Sequence, residues 1–143
     1  MRSFEELINP ENEQREKFFA YLLRRPCTCK QAREYLRKMK FPETLLDEAK
    51  NAGLIDDLVF AKLFADGHLR WGNMKIAYEL SIRGVPRENV RAALDEIADE
   101  SERAREISDG LRESGLDDMK IKSRLISRGF TNRAVNEALN KQA

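Results

Sequence analysis

At 143 residues, the chain has the size of one domain or a short repeat array, which excludes two independent large domains. Charged residues make up 36% of it and apolar residues 41%, a composition typical of a folded protein rather than a disordered one. No apolar run approaches the ~20 residues that cross a bilayer, and the first residues lack the apolar stretch of a secretory signal. We therefore expect a cytoplasmic protein without a membrane segment.

Helical periodicity predicts three helices that each open a new unit of the chain. They cover residues 13–25, 57–70 and about 101–113, with apolar side chains spaced three or four apart. Asp56 or Asp57 is placed to cap the second of them, because a carboxylate at that point accepts hydrogen bonds from free backbone amides.

A pair of helices follows each of these and recurs at offsets of 44 and 45 residues. Every aligned column is apolar: Ala32, Ile76 and Ile121; Leu36, Leu80 and Leu125; Phe41, Val85 and Phe130; Leu46, Val90 and Val135; Ala49, Ala93 and Ala138. Gly84 and Gly129 supply the left-handed residue that ends a helix, and Thr131 is placed to cap the next one. In the first repeat Lys40 stands where glycine is expected, at a cost on the order of 1 kcal/mol.

The predicted fold is all-α, an elongated array of three tandem three-helix repeats. The repeats are expected at residues 11–53, 54–97 and 98–142. Since no segment alternates with a period of two, no strand is predicted. Such an array offers a long surface for binding, because each repeat contacts only its neighbours.

No arrangement of residues typical of a catalytic site is recognisable in the sequence. Cys27 and Cys29 are one residue apart, which is neither the spacing of a redox pair nor that of a zinc site, and we expect two reduced thiols. His68 is the only histidine, and no His–Cys or Ser–His–Asp set, HExxH motif or glycine-rich phosphate loop is recognisable in the sequence. The sequence therefore predicts a protein that binds rather than catalyses, without cofactor or metal.

Charge is strongly segregated although the net value is only +1. Residues 15–40 hold nine basic and two acidic side chains, residues 119–143 hold six and one, and residues 86–118 hold five and eleven. Two unbalanced basic segments at related places favour contact with a polyanion, meaning DNA, RNA or an acidic protein surface. No aromatic platform for single strands is evident beside them, so base-specific recognition is not indicated.

The candidate binding residues form stripes on predicted helices. In the first repeat the stripe lies opposite Ala32, Leu36 and Met39. By charge, the predicted contacts are Lys30, Arg33, Arg37 and Lys40 in the first repeat, Arg70, Lys75 and Arg83 in the second, and Lys120, Lys122, Arg124 and Arg128 in the third.

Three segments carry a family resemblance: LLRRPCTCKQAREYLRKMKF, GLIDDLVFAKLFADGHLRWGNMKIAYELSIRGV and KSRLISRGF. The second is the most specific, with its paired aspartates, Phe60-Ala61, Gly72, Ile76, Glu79-Leu80 and Gly84-Val85. From about residue 19 to residue 139 the chain resembles the RecX family of bacterial regulatory proteins. It departs from the family pattern at Lys40 and in a short N-terminal lead.

The resemblance implies a monomer that binds the RecA recombinase filament on single-stranded DNA, touching the DNA directly or through RecA. It implies inhibition of the recombinase, ATPase and co-protease activities of RecA, and thereby modulation of DNA recombination, DNA repair and the SOS response. The family's motif residues are expected to be structural here.

Two other classes stay open from the residues alone. A helix-turn-helix-like DNA-binding regulator is suggested by residues 119–139, where two predicted helices flank a glycine turn. The recurrence of that motif in core columns disfavours it. A purely structural helical adaptor would bind no nucleic acid.

Overall fold

A computed structural model describes residues 10–140, and within that range the protein is entirely helical. The helices are α1 (Pro10–Arg24), α2 (Cys29–Met39), α3 (Thr44–Asn51), α4 (Asp57–Asp66), α5 (Asn73–Ile82), α6 (Arg87–Glu96), α7 (Glu100–Glu113), α8 (Asp118–Ser127) and α9 (Asn132–Leu139). The all-α prediction is confirmed. No helix among the described residues is both long and apolar enough to span a bilayer.

Each set of three consecutive helices closes around its own hydrophobic core, and we call these sets the first, second and third repeats. The three cores contain, among others, Phe18 and Leu36 in the first, Ile76 and Leu80 in the second, and Ile121 and Leu125 in the third. Apart from half-buried Phe41, every residue of the aligned apolar columns is buried. The repeat pattern therefore marks the interior of each unit. Residue 142, the predicted end of the third repeat, lies outside the described residues.

Local capping decides where the helices begin. Asp56, rather than Asp57, caps α4, because its carboxylate accepts hydrogen bonds from the amides of Leu58 and Val59 at 3.0 and 3.1 Å. The hydroxyl of Thr131 accepts from the amide of Ala134 at 3.2 Å and caps α9 as predicted.

Helix α4 is one turn shorter than the predicted 57–70. It ends at Asp66, and the chain continues to Trp71 through tighter turns in which an amide bonds to the carbonyl three residues before it. Gly67, which packs poorly in a helix interior, stands at this change. The shortening brings Trp71 and Gly72 back toward the third repeat.

The turn between α2 and α3 has the left-handed geometry predicted for all three repeats. Lys40 has φ 58° and ψ 38°, comparable to Gly84 and Gly129 at φ 86° and 87°. Lys40 therefore lies beyond the end of α2, and the predicted four-residue stripe on that helix is wrong at this position. Met39, predicted to face the core, is 41% exposed because the helix ends with it.

Replacing Lys40 with glycine is expected to raise the free energy of unfolding by about 1 kcal/mol, because glycine adopts the left-handed conformation without steric cost. Urea denaturation followed by circular dichroism measures the change. Lys38→Gly is the matched control: Lys38 is exposed inside α2, where glycine should destabilise by roughly 0.5–1 kcal/mol. A Lys40→Gly protein no more stable than the parent would contradict the account of this turn.

Candidate functional site

The first two repeats are joined by hydrogen bonds from the start of α2 to the turn after α5. The hydroxyl of Thr28 donates to the carbonyl of Arg83 at 2.6 Å, and Nζ of Lys30 donates to the carbonyl of Ile82 at 3.2 Å. The side chain of Lys30 also lies against Gly84, where an added Cβ would come within 2.5 Å of the lysine Cβ. Lys30, a predicted binding residue, is therefore part of the first junction, the contact between the first and second repeats.

The second and third repeats are joined in a related way, first by hydrogen bonds between backbone groups. The amide of Gly72 donates to the carbonyl of Arg128 at 2.8 Å, and that of Met74 donates to Gly129 at 3.1 Å. A Cβ on Gly72 would overlap the backbone of Gly129 and Phe130, which cannot rotate away as a side chain can. The close approach of two backbones therefore requires glycine here, although its φ of −77° would suit any residue.

Two charged side chains complete this second junction. Arg103 is only 5% exposed and donates to the carbonyls of Leu69 at 3.2 Å and Trp71 at 2.5 Å, and to the side chain of Asn73. Its burial lowers the pKa of the guanidinium. Glu100 accepts from the amide of Asn73 and from the hydroxyl of Thr131, both at 2.7 Å. The third repeat is thus held to the second by charge-assisted hydrogen bonds of a buried arginine and a half-buried glutamate.

Sequence analysis did not predict the roles of Arg103 and Glu100, because both lie in the acidic middle of the chain and contributed only to its charge balance. Their spacing could have indicated that they face the interior. Glu100, Arg103 and Ile107 follow helical spacing, so the two charged residues occupy the apolar side of α7. A charge at a core position that is retained in a folded protein must be paired there.

Three predicted binding residues lie in the segments that form the second junction: Arg70 precedes it in the second repeat, and Arg124 and Arg128 lie in the third. Burial, and then the positive charges of Arg70 and Arg124, lowers the pKa of Arg128. One terminal nitrogen of Arg128, Nη1, is buried and has no hydrogen-bond partner among the described residues. We call these three arginines the junction cluster. Because the charges of Arg70 and Arg124 both act on Arg128, the three guanidinium groups concentrate positive charge at this junction, which favours an anion such as phosphate.

The other predicted binding residues are distributed over the three repeats, and several have partners within the fold. Arg37 pairs with Glu43 at 3.2 Å, and Arg83 pairs with Glu79 at 2.7 Å. Nζ of Lys75 lies 4.3 Å from the centre of the Trp71 ring. The remaining four are Arg33, half-buried on α2, and the exposed Lys40, Lys120 and Lys122. Arg37 of the stripe predicted on α2 is thus already paired within the fold.

Helix α5 carries an exposed apolar row that sequence reasoning did not predict. Met74, Tyr78 and Ile82 are spaced four apart and are 61%, 64% and 49% exposed, while Ile76 and Leu80 of the same helix are fully buried. We call the three exposed residues the apolar stripe. It begins beside the Arg128–Gly129 turn and ends at the carbonyl that accepts from Lys30, so it connects the two junctions. An apolar row of this kind is typical of a protein contact.

The cysteines and the histidine have structural surroundings. Cys27 and Cys29 are free thiols, and burial raises the pKa of Cys27. His68 is half-buried between the rings of Phe64 and Trp71, with centroid distances of 4.2 and 4.1 Å. In the part of the chain that the structure describes, no three His, Cys, Asp or Glu side chains are grouped to hold a metal.

Comparison with known proteins gives a consistent result. Residues 56–94 match the family described as RecX, second three-helix domain. A regulatory protein RecX from Thermobifida fusca (strain YX) is 37% identical over 90 residues, which are 58% of this chain. The chain spans about half of that relative, 49% of its length.

Solved structures share the fold. RecX from Lactobacillus salivarius matches with a TM-score of 0.79 at 20% identity, over 90% of this chain and 94% of that one. A second structure, described as regulatory protein RecX, matches with a TM-score of 0.70 at 19% identity, over 88% and 71% of the two chains.

Proposed function

We propose that the chain is a member of the RecX family, as the match of residues 56–94 and the Thermobifida fusca relative support, and that it is a non-catalytic regulator. It binds RecA filaments assembled on single-stranded DNA. Bound there, it inhibits the recombinase, ATPase and co-protease activities of RecA, and so modulates DNA recombination, DNA repair and the SOS response. The partners are RecA and the DNA within its filament. The protein acts in the cytoplasm as a monomer.

One observation carries this proposal: the junction cluster lies beside the apolar stripe. Met74 begins the stripe and donates to Gly129, the residue directly after Arg128. An apolar row suits a protein surface, and a group of arginines suits phosphate or carboxylate. A filament of protein wound on DNA presents both kinds of surface side by side. A bare duplex would leave the apolar stripe without a partner.

Within this proposal, the junction cluster makes the central contact with the anionic partner. Arg33, Lys40, Lys120 and Lys122 extend the basic surface outward on the first and third repeats. Lys30, Lys75 and Arg83 also contact neighbouring parts of the fold, so their removal would affect both folding and binding.

A helix-turn-helix function is disfavoured by the start of α9. In that motif the N-terminal residues of the second helix approach base edges. Here the amide and hydroxyl of Thr131 both donate to the carboxylate of Glu100, at 3.3 and 2.7 Å. A negative charge at this helix end repels the DNA backbone. The hypothesis of a purely structural adaptor is disfavoured by Arg128. Its buried Nη1 has no hydrogen-bond partner within the described part of the chain, and an adaptor that binds no anion would not explain this atom.

The proposal is tested by adding the purified chain to RecA and single-stranded DNA and measuring the ATPase rate and strand exchange. Both are expected to fall as the chain saturates the filament. An unchanged RecA rate at saturation would overturn the proposed function. The same assay then separates the junction cluster from the rest of the surface.

Reversing Arg70 and Arg124 to glutamate is expected to weaken filament binding and to flatten its salt dependence. The logarithmic slope should fall by about 0.7 for each phosphate that the arginines no longer neutralise. Both side chains are exposed, so stability should change by less than about 1 kcal/mol. Fluorescence anisotropy of the labelled protein, titrated with filaments at several salt concentrations, measures affinity and slope together.

The matched control is the pair Arg87→Glu and Arg91→Glu, two exposed arginines on α6 whose reversal changes net charge equally. If the two double variants bound equally weakly, overall charge would account for the effect and the junction cluster would have no special role.

A further inference from the structure

A groove of 650 Å³ runs between the first two repeats. Its lining combines aromatic and basic side chains, and we call it the aromatic groove: Tyr21, Tyr35, Phe60 and Phe64 with Arg25, Lys38 and Arg83. Its volume lies within the range of ~300–1,000 Å³ that small-ligand sites occupy. The groove is separate from the junction cluster, which lies between the second and third repeats.

The four rings come from α1, α2 and α4, and tertiary structure brings them into one groove. Tyr21 and Tyr35 stack with centroids 4.0 Å apart and an interplanar angle of 12°. Phe60 and Phe64 are nearly parallel, at 6.1 Å and 22°. All four are half-buried, so each keeps part of its surface open to the groove. Sequence reasoning did not predict this grouping of rings beside basic side chains, because the rings come from three different helices.

The rings are held in a pre-formed arrangement. The stack continues from Phe64 through His68 to Trp71, and Nδ1 of His68 lies 2.7 Å from the carbonyl of Phe64. Lys75 covers the far end of the stack. On the other wall, Tyr35 also packs against Phe18 of the first core. A planar ligand entering the groove would meet surfaces that need little reordering.

Charge in the groove favours an anion. Arg25 and Lys38 are exposed on the rim, and the guanidinium of Arg83 lies 4.9 Å from the centre of the Phe64 ring. Glu34 is the acidic residue of the lining, and Arg83 is already paired with Glu79 outside it. Basic side chains beside partly exposed aromatic rings are the composition of grooves that bind single strands, where bases stack and phosphates follow the charge.

We propose that the aromatic groove binds single-stranded nucleic acid directly, with a base against the aromatic walls and the adjoining phosphates beside Arg25 and Lys38. This inference deepens the proposed function and rests on it, since it assigns part of the filament contact to the DNA itself. It predicts binding to DNA without RecA. It also predicts little sequence preference, because every base has a face that can stack.

The first test uses the full chain and a thymidine oligonucleotide that carries 5-iodouracil, without RecA. Ultraviolet irradiation followed by peptide mapping is expected to place crosslinks on the peptides that contain Tyr21, Tyr35, Phe60 and Phe64. Crosslinks confined to α8 or to the junction cluster would overturn the proposal.

The second test reverses Arg25 and Lys38 to glutamate, both exposed, and measures oligonucleotide affinity by fluorescence anisotropy. Affinity is expected to fall about tenfold at low salt, because two phosphates are no longer neutralised. The control is again Arg87→Glu with Arg91→Glu, which should keep most of the affinity. Circular dichroism of all variants checks that the fold is retained.

RecA assays separate this inference from the proposed function. A chain that inhibits RecA yet binds no free oligonucleotide would overturn the inference and leave the function standing. Oligonucleotide binding in the groove without any effect on RecA would support the inference and overturn the proposed function. If the groove variant kept its affinity for oligonucleotide but bound filaments poorly, the groove would hold an acidic protein segment, and the nucleic-acid proposal would be wrong.

Discussion

Replacing Gly72 with alanine is expected to destabilise the contact between the second and third repeats by about 1–3 kcal/mol, the usual cost of forcing extra atoms into a packed site. The new Cβ would overlap the backbone of Gly129 and Phe130. The turn must then move away, which breaks the hydrogen bond from residue 72 to the carbonyl of Arg128. Hydrogen exchange of the amides of residues 72 and 74 measures this opening directly.

The same substitution should impair RecA inhibition, because the junction cluster takes Arg70 from one repeat and Arg124 and Arg128 from the next. Gly110→Ala is the matched control. Gly110 lies inside α7, and among the described residues an added Cβ would meet nothing within 4 Å beyond its chain neighbours and the nearby backbone of its own helix, so alanine there should be neutral or slightly stabilising. Unchanged amide protection in the Gly72→Ala protein would show that the junction tolerates a side chain.

Replacing Leu80 with alanine is expected to lower the free energy of unfolding by about 2–5 kcal/mol, the usual range for a buried leucine. Leu80 is fully buried in the core of the second repeat, together with Ile76 and Val90. The substitution removes apolar contact and leaves a cavity that the surrounding helices only partly fill. Urea denaturation followed by circular dichroism gives the change.

Ile82→Ala is the control for Leu80, since it shortens an apolar residue on the same helix that is 49% exposed. Its effect on stability should stay within about 0.5 kcal/mol. Because Ile82 belongs to the apolar stripe, filament binding should weaken instead. If Leu80→Ala cost less than about 1 kcal/mol, well under the usual range, the aligned leucine column would not be the core that its burial indicates.

Periodicity and end signals predicted much of the fold correctly. Leu36, Leu80 and Leu125 were aligned from the sequence, and all three are fully buried. Gly84 and Gly129 adopt the left-handed turn conformation that their position implied. The helix ends were less exact, as at α4, because several weak turn signals between residues 66 and 72 compete there.

The candidate site was predicted in composition but not in arrangement. Arg70, Arg124 and Arg128 were chosen for charge, yet nothing in a helical stripe indicated that Arg70 would join the other two. Arg37 was given equal weight, and the structure pairs it with Glu43. The exposed apolar row on α5 could not be predicted, because the sequence alone does not show whether an apolar residue on a helix will be buried or exposed.

The sequence by itself determined the all-helical repeat, because helix formation, capping and an amphipathic face depend on residues within a few positions of one another. Only the tertiary structure decided how the repeats join and which charges meet. Gly72 must lack a side chain because the backbone of Gly129 lies against it, and Arg103 is buried because carbonyls of the preceding repeat accept its hydrogen bonds. Contacts between residues so distant along the chain depend on how the folded helices pack against one another. The spacing of residues within one helix does not determine that packing.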